Sequence, residues 1–287
     1  TNGSSVTYDR AVPTLSAVTV TSNNDNTAYA KQGDIVTLSF TSSENVQASP
    51  TVTMDGNAAT VSGSNTSWTA AYTMQNGDTE GDVNFTIDFT DISGNSGTQV
   101  TSLTSGNKIV YDETIPTLPT VDISSNNSNG ATFAKVGDII TLAITGSENI
   151  QTPTVTIAGN AATITSGSNG ESVYSATYTM QSSDNTGTVA FTVDFSDMAN
   201  NDGTQVTAVA NDADGGVTFD KQAPSFTAVT IASNNSNDAT LAVVNDVITV
   251  NLTSDEAIKT GADPTVTVSS NTATVTRNSA VSFTATY

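Results

Sequence analysis

The stretch YDETIPTLPTVDISSNNSN, Tyr111 to Asn129, decides how the chain is organised, because near-copies of it recur on both sides. The earlier copy is YDRAVPTLSAVTVTSNNDN, Tyr8 to Asn26, and the later copy is FDKQAPSFTAVTIASNNSN, Phe219 to Asn237. In each copy an aromatic residue and an Asp end one strand, a Pro interrupts the pairing, an alternating run opens the next strand, and a Ser/Asn cluster forms a turn. The repeated unit is therefore a whole domain, and this stretch is a junction between two domains.

Composition excludes several classes of function. The 287 residues carry 28 acidic and 7 basic side chains, a formal net charge of -21, which argues against a nucleic-acid partner. The chain has no Cys and no His, which excludes disulfides, thiol catalysis, zinc–thiolate sites and Ser–His–Asp triads. We therefore expect a protein that is not an enzyme. No hydrophobic run is long enough to span a membrane and no signal peptide is present, so we expect no membrane insertion and an interior or mature segment of a larger protein.

Short alternating segments separated by polar turns predict the fold. The first repeat contains strand patterns at about 15–21, 35–41, 51–54, 58–62, 67–74, 83–89 and 99–111, the last with an irregular middle. Alternation places Val36, Leu38 and Phe40 on the buried face of the second strand, and Trp68 on the buried face of the fifth. The pattern predicts an all-β protein of tandem Ig-like antiparallel β-sandwich domains in an elongated array.

Repeat spacing sets the domain boundaries. The equivalent residues Asp34, Asp138 and Asp246 are separated by 104 and 108 residues. We predict that residues 1–9 are the terminal strand of a preceding repeat, and that 10–112 and 113–220 are the first and second Ig-like domains. Residues 221–287 are predicted to be a third, incomplete domain that lacks the last two strands. Either the sequence stops before those strands, or a strand from another copy completes the sheet.

Several motifs carry a family resemblance: the YDxxxP junction, the SNNxN turn, AKxGD before the second strand, TSSEN after that strand, and DxSGN after the sixth. Together they resemble the bacterial Ig-like repeats of long extracellular surface adhesins, over essentially the whole chain. The resemblance implies an extracellular or cell-surface location and an extender role, often with Ca²⁺ stiffening the junctions. The partners it implies are neighbouring repeats of the same chain. The third copy departs from the pattern, since Val243 stands where the others have Lys31 and Lys135.

Carboxylates in the loops point independently to a cation. In an Ig-type sandwich the loops after the second and sixth strands lie at the same end as the start of the first strand, which is the junction. Oxygen ligands of this kind suit Ca²⁺ better than zinc or copper. The predicted Ca²⁺ ligands are Asp9, Glu44, Asp91 and Asn95 at the first junction, Asp112, Glu148, Asp197 and Asn201 at the second, and Asp220 and Glu256 at the third; Asp88 and Asp194 are nearby strand carboxylates.

Other interpretations of the same residues stay open. The Asp and Asn side chains could serve only to bond nearby backbone amides in turns, with Glu44 a solvated loop charge. The SNNxN turns contain too few carboxylates for a second Ca²⁺ site, and Asx-turn chemistry explains them better. Lys31 or Lys135, with an Asn or Asp acceptor and Glu44 or Glu148 as the proton shuttle, could form an isopeptide crosslink.

Two classes of function follow. The first is a structural extender segment of a secreted or cell-surface, adhesin-like repeat protein, stiffened by Ca²⁺ at its junctions. Within this class the incomplete third domain also permits a self-assembling extracellular filament subunit that exchanges strands with other copies. The second class is an adhesion module that binds a glycan or a protein on a host or other surface, which should show an aromatic-rich loop in one copy. Trp68 is the only Trp and lies on a predicted core face.

Overall fold

The computed structural model describes residues 4–47, 49–210 and 215–287 of the chain. All regular elements within these ranges are β-strands. The same ranges contain no apolar helix of the length needed to cross a membrane. The chain divides into two compact units, residues 1–220 and 221–287. The first unit contains two sandwiches, here called domains 1 and 2, and the second unit is called domain 3.

Domain 1 consists of short strands in a sandwich. Its strands are β1 (Leu15–Ser22), β2 (Tyr29–Ala30), β3 (Ile35–Ser42), β4 (Thr51–Met54), β5 (Asn57–Ala58), β6 (Thr60–Ser64), β7 (Ser67–Thr73), β8 (Gly81–Asp82), β9 (Phe85–Asp88) and β10 (Val110–Tyr111). One side is the four-stranded sheet β1-β3-β7-β6, and the opposing side comprises the three-stranded sheets β5-β4-β9 and β2-β10-β8. All pairs are antiparallel except β2 with β10, which is parallel.

Apolar side chains from the two sides of domain 1 form one core. As predicted from the alternation, Val36, Leu38 and Phe40 of β3 are buried, and they share a cluster with Met54 and Ile87 of the opposing sheet. Burying a large apolar side chain contributes roughly 1.5–3 kcal/mol relative to leaving it exposed, so this contact holds the two sides together.

Domain 2 repeats this arrangement. Its strands are β11 (Thr120–Ser125), β12 (Phe133–Ala134), β13 (Ile139–Ile150), β14 (Thr154–Ile157), β15 (Asn160–Ala161), β16 (Thr163–Ser166), β17 (Glu171–Thr179), β18 (Gly187–Thr188), β19 (Phe191–Asp194) and β20 (Thr218–Phe219). The sheets are β11-β13-β17-β16, β15-β14-β19 and β12-β20-β18, the same order as in domain 1. The chain is thus an all-β protein of tandem Ig-like β-sandwich domains.

The last strand of domain 1 is shorter than predicted. Only Val110–Tyr111 forms a regular strand in the segment expected to be extended from 99 to 111. Before it, Val100 makes an isolated bridge to Ile87, and the Thr104 amide donates to Val18 O at 2.9 Å. Gly106 has a φ of 85°, in the left-handed region, which turns the backbone away from an extended course. The segment therefore pairs first with one side of the sandwich and then with the other.

Domain 3 contains β21 (Phe226–Ser233), β22 (Ile248–Ser254), β23 (Thr267–Val268), β24 (Asn271–Thr272), β25 (Thr274–Arg277) and β26 (Ser282–Thr286). The sheets are β21-β22-β26-β25 and β23-β24, so residues 221–287 hold no counterpart of β8, β9 or β10. Residues 241–242, the counterpart of β2, form no strand. Val229 is 59% exposed, whereas its counterparts Val18 and Val121 are both 0% exposed.

Apolar side chains near the start of the chain are also exposed. Residues 1–3 of the predicted terminal strand lie outside the described residues, and residues 4–9 belong to no strand. Val6 and Tyr8 are 96% and 83% exposed. Their sequence counterparts at the end of domain 1, Ile109 and Tyr111, are buried.

Candidate metal centre

The loop after β9 and the loop after β19 share one local structure. We call residues 91–95 and 197–201 carboxylate loops 1 and 2. In loop 1 the Asn95 amide donates to Asp91 Oδ1 at 2.7 Å, and Asn95 Nδ2 donates to Asp91 Oδ2 at 2.8 Å. In loop 2 the corresponding bonds from Asn201 to Asp197 are 2.8 and 2.7 Å long. The Asp-x-x-x-Asn spacing thus closes a turn in which the Asn holds both oxygens of a buried carboxylate.

A Gly two residues after each carboxylate loop packs against a buried Phe ring. Gly97 and Gly203 lie directly against the rings of Phe89 and Phe195, and a Cβ at either position would be 2.3 and 2.2 Å from the nearest ring atom. The Gly97 and Gly203 amides each donate to the carbonyl of the same Phe at 3.0 Å. The same Gly–Phe contact therefore fixes both loops to the core in the same way.

The first carboxylate cluster consists of Asp9, Glu44 and Asp91, each offering an oxygen within 4.8 Å of the others. Asp9 accepts from the Ala11 amide at 2.9 Å through Oδ1, and from Ser93 Oγ at 2.9 Å through Oδ2. As predicted, the start of the first strand, the loop after β3 and the loop after β9 meet at one end of the domain.

The second cluster consists of Asp112, Glu148 and Asp197, again with one oxygen of each within 4.8 Å of the others. Asp112 belongs to the linker between β10 and β11, and its Oδ1 accepts from the Thr114 amide at 3.0 Å. Asn201 Nδ2 also donates to the Asp112 carbonyl at 3.0 Å, which ties the linker to carboxylate loop 2. This cluster therefore lies at the junction between domains 1 and 2.

Burial and neighbouring charges raise two pKa values in the second cluster. Burial raises the pKa of Glu148 from 4.5 to about 7, and the charges of Asp112, Asp197 and Glu80 add to the effect. Burial, followed by Asp197 and Glu80, also raises the pKa of Asp112. Without a cation, the junction thus holds more negative charge than it can stabilise at neutral pH.

In the first cluster the pKa values of two carboxylates shift in opposite directions. Burial, followed by the charges of Asp9 and Asp91, raises the pKa of Glu44. Burial also acts to raise the pKa of Asp91, but hydrogen bonds from the side chain and amide of Asn95 and from the Gly94 and Ser93 amides outweigh it, so its pKa lies below the ordinary value. Asp91 is therefore ionised at neutral pH and is available as a charged ligand.

Both clusters fit the requirements of Ca²⁺. Calcium takes oxygen ligands at about 2.3–2.6 Å, so two oxygens on opposite sides of an ion lie about 4.6–5.2 Å apart. The spacing of up to 4.8 Å in each cluster is compatible with that distance. The Asn95 and Asn201 amide nitrogens position the Asp carboxylates, so direct ligation by these two Asn side chains stays a prediction.

The remaining predicted carboxylates are placed differently. Among the described residues, neither carboxylate cluster includes Asp220 or Glu256. Asp220 is exposed and its amide donates to Ala134 O at 2.8 Å, while Glu256 is half-buried in domain 3. Asp88 and Asp194 accept from Gln99 and Gln205 on exposed strand faces, so these two carboxylates serve strand contacts rather than the clusters.

The structure gives the two candidate crosslinking lysines different contacts from those a crosslink needs. Lys31 Nζ contacts the backbone carbonyl of Asn200 in domain 2. Lys135 Nζ lies 3.5 Å from Asp138 Oδ1, and its side chain is 68% exposed. Neither contact is to Glu44 or Glu148, and an exposed Lys lacks the dry surroundings in which the crosslink would form.

One carboxylate at the junction, Glu80, is not among the predicted ligands. Glu80, just before β8, accepts from the Glu113 amide at 3.1 Å and from Thr114 Oγ1 at 2.7 Å. It lines a cleft of ≈ 380 Å³ together with Asp112 and Glu148. Thr186 occupies the equivalent position in domain 2. A carboxylate present in one repeat only could have been found by comparing the repeats at this position.

No protein-family model matches the sequence, and the search of curated proteins gives no match. Among solved structures, the chain is similar to the I9-I11 tandem from titin, at 8% identity and a TM-score of 0.31, over 90% of this chain and 84% of that one. It is also similar to Rst D1-D2, at 11% identity and a TM-score of 0.32, over 70% of this chain and 100% of that one. A Bacteroides ovatus mixed-linkage glucan utilization protein, SGBP-B, matches at 15% identity and a TM-score of 0.21, over 76% of this chain and 50% of that one. Likenesses this distant assign no function, which must be argued from the carboxylate clusters themselves.

Proposed function

We propose that this chain is a structural extender segment of a secreted or cell-surface repeat protein, and that Ca²⁺ at its domain junctions makes it stiff. The observation that carries the proposal is the second carboxylate cluster. It takes one ligand from the linker, Asp112, and two from domain 2, Glu148 and Asp197. An ion bound to all three restrains the linker with respect to domain 2.

The electrostatics supply the driving force. In the absence of a cation, burial, followed by repulsion from the neighbouring carboxylates, raises the pKa of Glu148 and Asp112, so the closed arrangement costs free energy. A divalent ion offsets this repulsion only when the linker and the two loops are together. Free Ca²⁺ at about 100 times its dissociation constant would favour the aligned state by roughly 2.7 kcal/mol.

Calorimetry and small-angle scattering on the whole chain test this function. We expect saturable Ca²⁺ binding at submillimolar to millimolar concentrations, together with a larger maximum dimension than in chelator. The double variant Asp112→Ala/Glu148→Ala should lose the junction site, while Asp9→Ala/Glu44→Ala, its matched control, should keep it. Absence of saturable binding in the wild type, or an unchanged maximum dimension, would refute Ca²⁺ stiffening.

A further inference from the structure

The Asn-rich turn of domain 1 donates hydrogen bonds to carboxylate loop 2 across the junction. We call residues 22–26 the asparagine turn. Side chains from this turn and from Lys31 donate to three successive carbonyls of the loop: Asn26 Nδ2 to Met198 O at 2.9 Å, Asn24 Nδ2 to Ala199 O at 2.8 Å, and Lys31 Nζ to Asn200 O. The carbonyls belong to the three residues between Asp197 and Asn201. These bonds therefore hold the backbone segment that follows Asp197, the carboxylate of the second cluster.

Asn24 uses its full hydrogen-bonding capacity at this contact. Within domain 1 its Nδ2 donates to Asp34 Oδ2 at 2.7 Å and its Oδ1 accepts from the Asn26 amide at 2.9 Å. Across the junction Nδ2 donates to Ala199 O, and Oδ1 accepts from Asn200 Nδ2 at 2.6 Å. A carboxamide has two N–H donors and two acceptor lone pairs, so half of this side chain serves the turn and half serves the junction.

Asn127 in domain 2 shows what the turn alone requires. Its Nδ2 donates to Asp138 Oδ2 at 2.5 Å, and its Oδ1 accepts from the Asn129 amide at 2.8 Å. These bonds match the two that Asn24 makes within its own domain. Asx-turn chemistry therefore explains the turn in both domains but does not explain the contacts of Asn24 with loop 2.

Asn200 is adapted to the junction from the other side. It has a φ of 65°, and Gly94 has a φ of 95° at the same position of carboxylate loop 1. Asn is one of the few residues that tolerate the left-handed region, so it preserves the loop backbone and adds a side chain. That side chain donates to Asn24 and accepts from Gln151 Nε2 at 2.6 Å through Oδ1.

Burial follows these contacts. Ala199 in loop 2 is fully buried, whereas its counterpart Ser93 in loop 1 is exposed. Met198 is half-buried, whereas its counterpart Ile92 is exposed. Domain 1 thus covers loop 2, and three of the covering bonds end on backbone carbonyls rather than on variable side chains.

From these contacts we infer that the asparagine turn and Lys31 form a docking surface for the Asp-x-x-Asn-Asn loop of the following domain, and that Asn24, Asn26, Lys31 and Asn200 are positioning residues for the cation site. The loop's own Asp–Asn turn sets its shape, and docking restrains the loop, with Asp197, beside the linker that carries Asp112. Cation binding and domain alignment are then coupled through the same five loop residues. The coupling rests on the proposed Ca²⁺ function, whereas the docking contact does not.

Two variants of the whole chain test the coupling by calcium calorimetry. Asn24→Ala removes two junction bonds, and its matched control Asn127→Ala removes the same turn bonds in domain 2 only. Asn200→Gly keeps a left-handed loop residue, as in Gly94, and removes the side-chain bonds to Asn24 and to Gln151. We expect Asn24→Ala and Asn200→Gly to weaken Ca²⁺ binding at the second cluster about 10-fold, as loss of an outer-shell contact does, and Asn127→Ala to leave it unchanged. Equal affinities in Asn24→Ala and Asn127→Ala would overturn the coupling.

Hydrogen exchange in cation-free buffer tests the docking contact separately. Docking predicts faster exchange of the Asn201 amide in Asn24→Ala and in Lys31→Met than in their controls Asn127→Ala and Lys135→Met. Equal exchange in each pair overturns docking. If the wild type binds no Ca²⁺ but the exchange difference is present, the proposed function fails and the docking surface stands.

Discussion

Carboxylate loops 1 and 2 have the same backbone and different surroundings. Each closes an Asp–Asn turn, each has a left-handed fourth residue, and each rests on a Gly–Phe contact. Residues 92–94 of loop 1 are exposed, whereas domain 1 covers loop 2 and adds Glu80 beside its cluster. The comparison teaches that the loop's own sequence sets its shape, while the neighbouring domain sets its electrostatics. We propose that the cover from domain 1 makes the junction at loop 2 a cation-dependent joint, that is, a junction whose stiffness depends on a bound cation.

The largest effect is expected from removing the buried carboxylate. Asp197→Asn should weaken Ca²⁺ binding at the second cluster by at least about 100-fold, because it removes a charged ligand and not merely an outer-shell contact. Asp91→Asn should do the same at the first cluster and leave the second unchanged. Site-resolved NMR titration with Ca²⁺ separates the two clusters. An Asp197→Asn chain that still titrates normally at Glu148 would contradict the assignment.

Substituting the anchoring Gly residues tests whether the two loop backbones are truly equivalent. Gly97→Ala and Gly203→Ala each force a Cβ into a buried Phe ring, and overpacking of this kind costs about 1–3 kcal/mol of unfolding free energy. The two losses should be similar, since both contacts are nearly the same. Urea denaturation monitored by NMR in each domain measures them. A large loss in one domain only would show that the loops differ in backbone as well as in surroundings.

Neutralising the central Glu should separate the electrostatics of the two clusters. In cation-free buffer near pH 7.5, Glu148→Gln removes a charge that burial and three neighbouring acids disfavour, so Tm should rise by about 2 °C. Glu44→Gln should raise Tm less, since only two acids, Asp9 and Asp91, add to the rise in the pKa of Glu44. Calorimetric scans measure both. A fall in Tm for Glu148→Gln without a cation would contradict this, because it would mean that the folded protein stabilises the Glu148 charge.

The smallest effect is a pH dependence whose sign depends on Ca²⁺. The folded pKa of Glu148 lies at about 7, above its ordinary 4.5, so the folded state binds the extra proton. Lowering the pH from about 7.5 to about 5 should therefore raise Tm in chelator, a gain that is lost as the pH rises through 7. In saturating Ca²⁺ the proton competes with the ion, and the same change should lower Tm.

Glu148→Gln is the control for this pH series, because it removes the titrating group. Its Tm in chelator should change less with pH over this window than that of the wild type. The pKa of Asp91 is lowered, so this group stays ionised above about pH 5 and does not oppose the trend. Parallel pH curves with and without Ca²⁺ would contradict competition at the cluster.

Much of this architecture could be predicted from the residues. The alternation of Val36, Leu38 and Phe40 identified a buried face because side chains of a strand alternate strictly between faces. Asp9, Glu44 and Asp91 could be placed together because sandwich topology brings their loops to one end, although 82 residues separate Asp9 from Asp91 along the chain.

Other features could not be predicted because they depend on contacts between domains. An Asn at position 24 is fully explained by the turn it forms within domain 1. The sequence therefore contains no indication that the same side chain also bonds Ala199 and Asn200 of domain 2. Glu80 precedes a strand far from the predicted loops, and only the placement of domain 1 against domain 2 brings it to Glu148. The final strand was predicted too long, since Thr104 leaves its expected course to bond Val18.

The most direct test of the cation-dependent joint is the relative order of domains 1 and 2 in the whole chain, measured by residual dipolar couplings with and without Ca²⁺. Docking alone holds the two domains together for only part of the time, so we predict one common alignment tensor in Ca²⁺ and two tensors of different magnitude in chelator. Asp197→Asn should give two tensors in both conditions. A common tensor for the wild type in chelator, or separate tensors in saturating Ca²⁺, would contradict the claim that an ion at Asp112, Glu148 and Asp197 sets the stiffness of the junction.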